Sequence, residues 1–209
     1  MLRITGARTV VIDHETEVAG DLLLSDVVLN DAGESADILD ASGCIVTPGL
    51  VNAHHHLLQS GFRTLPGTRG VAMADWLPAM AAAYSAAGID ASLVSATTAI
   101  GIAEGLLSGV TTVADHMLNW DHGSSIEATV EVADAIASAA AALGGRLVFV
   151  RGSAREEPVR VAESAAAIAR AWTLERGVST DGMLQLAVGP AGVHSDAEAT
   201  FRGLGEVAA

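Results

Sequence analysis

Lysine is absent from this 209-residue chain, and Cys44 is its only cysteine. A lysine-bridged binuclear metal site therefore cannot arise within these residues. No intrachain disulfide can form either, which agrees with a reducing compartment. Positive charge is scarce: 11 basic residues, all arginine, face 25 acidic ones, for a net charge of −14. A chain so short of cationic surface is poorly equipped to neutralise phosphates, which argues against a nucleic-acid partner. Aromatic residues are few, with three Trp, one Tyr and three Phe. The core that a half-hydrophobic chain can bury is then built from small and aliphatic side chains. The stretch Met1-Leu2-Arg3-Ile4-Thr5-Gly6 has no apolar signal core. Residues 91–114 contain one charge, Glu104, but are rich in Ser, Thr and Gly and have no Trp, Tyr, Lys or Arg anchoring their ends. They read as a buried helix followed by a buried strand, without a membrane partner, in a cytoplasmic protein.

Against this plain background one segment stands out. Residues 47–59 read Thr-Pro-Gly-Leu-Val-Asn-Ala-His-His-His-Leu-Leu-Gln. A Pro-Gly turn releases a short apolar strand that ends in three histidines. Alternate strand residues share a face, so His54 and His56 point one way and His55 the other. Two rises of about 3.3 Å put their α-carbons roughly 6.6 Å apart. From there two imidazoles can lean onto one ion with bonds of about 2.0–2.1 Å for zinc. Three adjacent histidines are also compatible with a solvated strand end or a core holding one satisfied imidazole. The carboxyl end of a strand, however, is where α/β folds place their sites.

Two regions differ in pattern. Residues 1–46 read as a small β unit, with Leu2, Ile4, Val10 and Ile12 as β-type positions and punctuation at Gly20-Asp21. Leu22-Leu23-Leu24 and Val27-Val28-Leu29 are short apolar runs, and Asp31-Ala32-Gly33 reads as a turn. His14 is expected at the surface. From 47 to 209 strands alternate with longer helical stretches, which argues for parallel β/α units. Strands are expected at about 49–55, 110–115, 146–151 and 184–189. Helix signals include Asp75 and Asp90 as caps, Pro78 in a first turn, and a Ser124/Glu127 capping box. They continue with an opening near Pro158, a stop at Gly177, and Ser195 or Asp196 as the last cap. Four such units in about 160 residues amount to half of a (β/α)8 barrel, which typically takes about 250. The alternative is a self-contained four-strand sheet, disfavoured because its outer strands would be exposed apolar edges.

The string Pro48-Gly49-Leu50-Val51-Asn52-Ala53-His54-His55-His56 resembles the first-strand signature of the amidohydrolase superfamily. With Asn52 and three histidines it is similar to the aminohydrolase branch, the one containing guanine and 8-oxoguanine deaminases and triazine hydrolases. Ile38-Leu39-Asp40-Ala41-Ser42-Gly43 resembles the lead into that barrel, and Gly109-Val110-Thr111-Thr112-Val113-Ala114-Asp115-His116 its second strand. The resemblance covers an amino-terminal portion only. It implies the first half of a (β/α)8 metal-dependent hydrolase barrel preceded by a small β domain, with the division at 46/47. It implies His54 and His56 as metal ligands for one divalent ion, zinc by default and iron as an alternative. The remaining ligands and the acid/base residues of the family are expected beyond Ala209, so the isolated chain is expected to be inactive.

The activity implied is hydrolysis of a non-peptide C–N bond, namely deamination of a purine, pterin or triazine-like heterocycle. The alternatives are another bond in a cyclic amide, a chloro- or alkylamino-triazine or an imidazolone, or a non-catalytic metal-binding or interaction half-barrel. Partners are then a small heterocycle and, at full length, further copies of the chain. Three more residues are candidates for substrate binding. Gln59 follows the histidines and resembles a ring-contacting glutamine; a solvated loop amide is the alternative. His116 ends the second strand, with a structural role as its alternative. Arg151, in an Arg-Gly-Ser segment similar to that of oxopurine deaminases, either grips a ring carbonyl or carboxylate or forms a surface ion pair with Glu156 or Glu157. Asp115 and His194 have no assigned role.

Overall fold

The computed structural model describes residues 2–24, 37–121 and 123–209. Val27-Val28-Leu29 and Asp31-Ala32-Gly33 lie outside them. The chain divides into two compact units, Met1–Leu50 and Val51–Ala209.

The first unit is a small sheet. Strand β1 (Leu2–Val11) pairs antiparallel with β2 (Glu17–Leu24) and parallel with both β3 (Asp37–Asp40) and β4 (Ile45–Val46). Ile4, Ala7, Val10 and Ala41 form its core, packed by Leu2, Leu22, Leu24 and Val46. Gly20 and Asp21, expected to break the chain, instead lie inside β2. Gly20 takes φ 103° opposite a register shift at Ala7, so the break in the pattern is a bulge that only glycine accommodates easily. Ile12 falls just past β1 and is exposed, and His14 is exposed beside Glu15.

The second unit carries four strands in chain order: β5 (Leu50–His55), β6 (Val110–Met117), β7 (Arg146–Ser153) and β8 (Leu184–Pro190). The β6–β7 and β7–β8 pairs are parallel, with Asp115 beside Phe149 and His116 beside Val150. A short 3-10 turn (Leu57–Gly61) follows β5, and then α1 (Met73–Ala87) and α2 (Ala91–Leu107). Helices α3 (Ile126–Ala142), α4 (Pro158–Trp172) and α5 (Glu198–Ala208) follow the other three strands. The main core lies between the strands and these helices and includes Leu57, Val113, Met117, Ile136, Leu147, Phe149 and Ile168. Helix α2 buries one face, through Val94, Thr97, Thr98, Gly101 and Ile102, while Leu107 is exposed. Among the described residues, no helix is long and apolar enough to cross a membrane.

Several helix ends differ from the sequence expectation. Asp90 caps α2 as expected, accepting from the Leu93 amide at 2.8 Å. Ser125, not Ser124, caps α3, because the Ser124 hydroxyl is engaged with the Asp121 carbonyl at 2.7 Å. Asp75 sits inside the first turn of α1 behind Ala72, and Pro78 lies one turn further in than expected. Helix α4 stops at Thr173, whose φ of 47° makes the left-handed turn assigned to Gly177. Ala197 precedes α5 without a side-chain cap, since Ser195 and Asp196 bond to one another. Leu50 and Val51 of β5 are mostly exposed at the end of the strand order.

Candidate metal centre

At the carboxyl ends of β5 and β6 three imidazoles gather. The His54 and His56 ring centroids are 5.0 Å apart, edge to face. His116 stacks on His54 at 4.1 Å and lies 6.2 Å from His56. Strand alternation explains the grouping. Val113, Asp115 and Met117 are buried on one face of β6, so His116 projects from the other, beside the rings of β5.

The ring of His56 is held by the backbone. Its Nδ1 lies 2.7 Å from the His116 carbonyl oxygen. A carbonyl only accepts, so Nδ1 carries the proton and Nε2 presents its lone pair, the arrangement usual for a metal-ligating histidine. Two imidazoles converging tetrahedrally on one ion with zinc–nitrogen bonds of about 2.0–2.1 Å would set their ring centres about 5 Å apart. The separation found is compatible with that, and the donor set suits zinc or iron. Among the described residues, no three His, Cys, Asp or Glu side chains are grouped so as to hold an ion together. What the chain offers is a pair of donors.

Around the pair the charge is kept low. Burial, and then the neighbouring His54, push the His116 pKa down, while a hydrogen bond to the Ala53 backbone pulls the other way. His55 is likewise lowered, first by burial and then by His56 and Arg63. Neutral imidazole is the form that binds metal. A cavity of about 270 Å³ is lined by His54, His55, His56, Gln59, Ser60 and Arg63. Gln59 is thus brought to the histidines by the 3-10 turn. Arg63 pairs with Glu104 at the margin.

The turn itself is clamped. Gly101 of α2 lies so close that a Cβ there would stand 2.6 Å from Leu57 Cδ2 and 2.7 Å from Ser60 Oγ. A Cβ on Gly61 would stand 2.6 Å from Thr97 Cγ2. Asp115, buried on the helix-facing side of β6, accepts the Leu57 amide at 2.8 Å. Burial pushes its carboxyl up to about 7, against the lowering effect of that bond. An acid placed between Val113 and Met117 in a buried stripe was the available sequence signal for this contact.

Arg151 is engaged elsewhere. Of the two alternatives the ion pair is the one formed, with Glu156, and it is buried rather than at the surface, both side chains being 1% exposed. Its Nε donates to Ser164 at 3.0 Å, and its guanidinium lies 4.6 Å from the Trp120 ring centre. Trp120 in turn donates to the Gly152 carbonyl at 2.9 Å. Arg151 therefore braces β7 against α4 and the segment after β6, and does not face the histidines. His194 is exposed after β8.

Comparison with known proteins agrees with this architecture. The model of the amidohydrolase family matches residues 45–209. The 8-oxoguanine deaminase of Pseudomonas aeruginosa is 32% identical over 145 residues, covering 66% of this chain and 31% of that protein. An isoxanthopterin deaminase from an unknown prokaryotic organism is 28% identical over 158 residues, covering 73% of this chain and 32% of its own length. The crystal structure of atrazine chlorohydrolase from Arthrobacter aurescens TC1, complexed with zinc, superposes with a TM-score of 0.81 at 26% identity. That superposition covers 100% of this chain and 50% of the other. The chain thus spans about a third of the curated relatives and half of the solved structure. Its four β/α units correspond to half of a (β/α)8 barrel, with the small sheet preceding them. A match that begins at β4 and runs through every β/α unit makes this chain a member of the amidohydrolase family.

Proposed function

We propose that this chain supplies the first two metal ligands, His54 and His56, of a hydrolase acting on non-peptide C–N bonds. The reaction is hydrolytic deamination of a nitrogen heterocycle of the purine, pterin or triazine type. The observation that carries the reading is the 5.0 Å pairing of the two rings, with His56 fixed through Nδ1 to a backbone carbonyl. His54 and His56 would hold a divalent ion, zinc first and iron second, and such an ion would supply hydroxide at neutral pH by lowering the pKa of water from about 15.7 toward about 7.

The chain's own residues do the rest of what is proposed here. His54 and His56 present ring nitrogens from a stiff strand end. Gln59, in the lining of the cavity, and His116, stacked on His54, offer hydrogen-bonding atoms to a planar ring. In the overall reaction water adds at the ring carbon bearing the amino group, and ammonia leaves. The setting is a protein of the cytoplasm with a small molecule as its partner. A second reading, displacement of chloride from a chlorinated triazine, draws support from the likeness to the atrazine chlorohydrolase fold.

Calorimetric titration with zinc tests the metal pair. The chain should bind one equivalent weakly, and His54→Ala or His56→Ala should abolish the binding. Unchanged binding in both variants would overturn the assignment. The 209-residue chain alone should turn over nothing, because two imidazoles leave an ion's remaining positions unfilled. A version extended to eight β/α units, given aminopurines, aminopterins and triazines, should release ammonia. Chloride release alone would shift the reading to the second, and neither product from zinc-loaded protein would leave only a metal-binding module.

A further inference from the structure

We infer that Asp115 is a positioning residue for the second imidazole of the pair, acting through the amide of Leu57. The inference rests on the metal-pair reading for its purpose, but its geometry stands independently.

The 3-10 turn that begins at Leu57 starts from His56, whose side chain provides no cap. The first amides of a helical turn have no partner within it. The Leu57 amide is nonetheless satisfied, by a carboxylate oxygen from the next strand at 2.8 Å. The following residue of that strand, His116, holds the ring of His56 through its carbonyl at 2.7 Å. Two successive residues of β6 therefore grip two successive residues at the end of β5. One grips the ring, and the other grips the backbone immediately after it.

Stability alone does not account for an acid at this place. Asp115 is 1% exposed, and its Oδ2 has no hydrogen-bond partner. Burying a carboxyl with one oxygen unmatched is unfavourable, and an apolar residue would suit the stripe between Val113 and Met117 better. What the carboxylate adds is a fixed direction for the chain as it leaves His56. With Leu57 fully buried and wedged against Gly101, the turn pivots neither toward nor away from β6. An imidazole on a swinging backbone would sample many orientations, and a ligand pair tolerates little of that.

Three measurements on the 209-residue chain test this. In the parent, amide exchange at Leu57 should be as slow as in the core strands. Long-range proton–nitrogen spectra should show His56 protonated at Nδ1 alone. Asp115→Asn, which keeps the accepting oxygen, should preserve both, with zinc affinity within about twofold of the parent. Asp115→Leu, which removes the acceptor while keeping the number of side-chain heavy atoms, should mix the His56 tautomers and weaken zinc binding about 10- to 100-fold, the range for lost outer-shell partners. Its far-UV circular dichroism should be retained.

Fast exchange at Leu57 in the parent would overturn the inference. So would a folded Asp115→Leu chain with an unchanged His56 spectrum. Neither readout needs a metal. If the parent fails to bind zinc while both spectral results hold, the metal reading fails and the positioning contact remains. If the leucine variant does not fold, the parent's Leu57 exchange rate decides alone.

Discussion

The guanidinium of Arg151 meets the carboxylate of Glu156 in a two-pronged pair, with Nη1–Oε1 at 2.9 Å and Nη2–Oε2 at 2.8 Å. Both groups are cut off from water, so removing one strands the other. Glu156→Ala should lower unfolding stability by about 3–5 kcal/mol. Replacing both, as Arg151→Met with Glu156→Leu, should recover most of that loss, since a buried pair is often no better than packed apolar groups. Urea denaturation of the three variants checks both statements.

The ring of His55 is not among those that gather, which are His54, His56 and His116, so the three adjacent histidines are not equivalent. His55→Gln should leave zinc affinity within about threefold of the parent, because loss of a residue outside the pair does not remove a donor. His56→Gln should reduce affinity by at least about tenfold. Side-by-side calorimetric titrations distinguish the two.

Close approach of α2 to the turn after β5 depends on the absence of a side chain at position 101. Gly101→Ala should destabilise the chain by about 1–3 kcal/mol through overpacking against Leu57. Gly144, in contrast, is open to solvent, with no atom within 4 Å of an added Cβ. Alanine there should act only through its positive φ of 71°, which strains the backbone by about 1 kcal/mol. Thermal melts of the two variants give the comparison.

How much of this was legible beforehand varies with the range of the forces involved. The histidine pair, the Asp90 cap and the four strands announced themselves, because a period of two and a capping carboxylate act within a few residues of chain. The stop of α4 did not. Thr173 adopts a left-handed backbone that its side chain gives no reason to expect, while Gly177 downstream offered a false signal. The cap of α3 slipped by one residue because Ser124 finds the Asp121 carbonyl first. Arg151 was ambiguous for a different reason. Its neighbours along the chain include Glu156, but the indole of Trp120, which helps bury it, arrives from the segment after β6. The contact from Asp115 to Leu57 likewise joins residues far apart in sequence, and only the pairing of β5 with β6 brings them together.

Asp115 should also leave a mark on the pH dependence of stability. Its carboxyl titrates near 7 when folded, against an ordinary value of 3.8. The native state therefore holds a proton that the unfolded chain releases. This group's contribution is fully present below about pH 4, declines as pH rises from about 4 to 7, and levels off above that. Asp115→Asn should flatten the fall over that window. Denaturation midpoints in chelator, at half-unit pH steps, measure the difference; an unchanged slope in the variant would mean that another group is responsible.

The support for the His56 ring comes from the main chain of His116, not from its side chain. Every amino acid brings a carbonyl, so mutation at position 116 can exchange the imidazole for another group without erasing this brace. The spot is thus one where descendants can drift in the side chain they present while inheriting the orientation of the neighbouring imidazole intact.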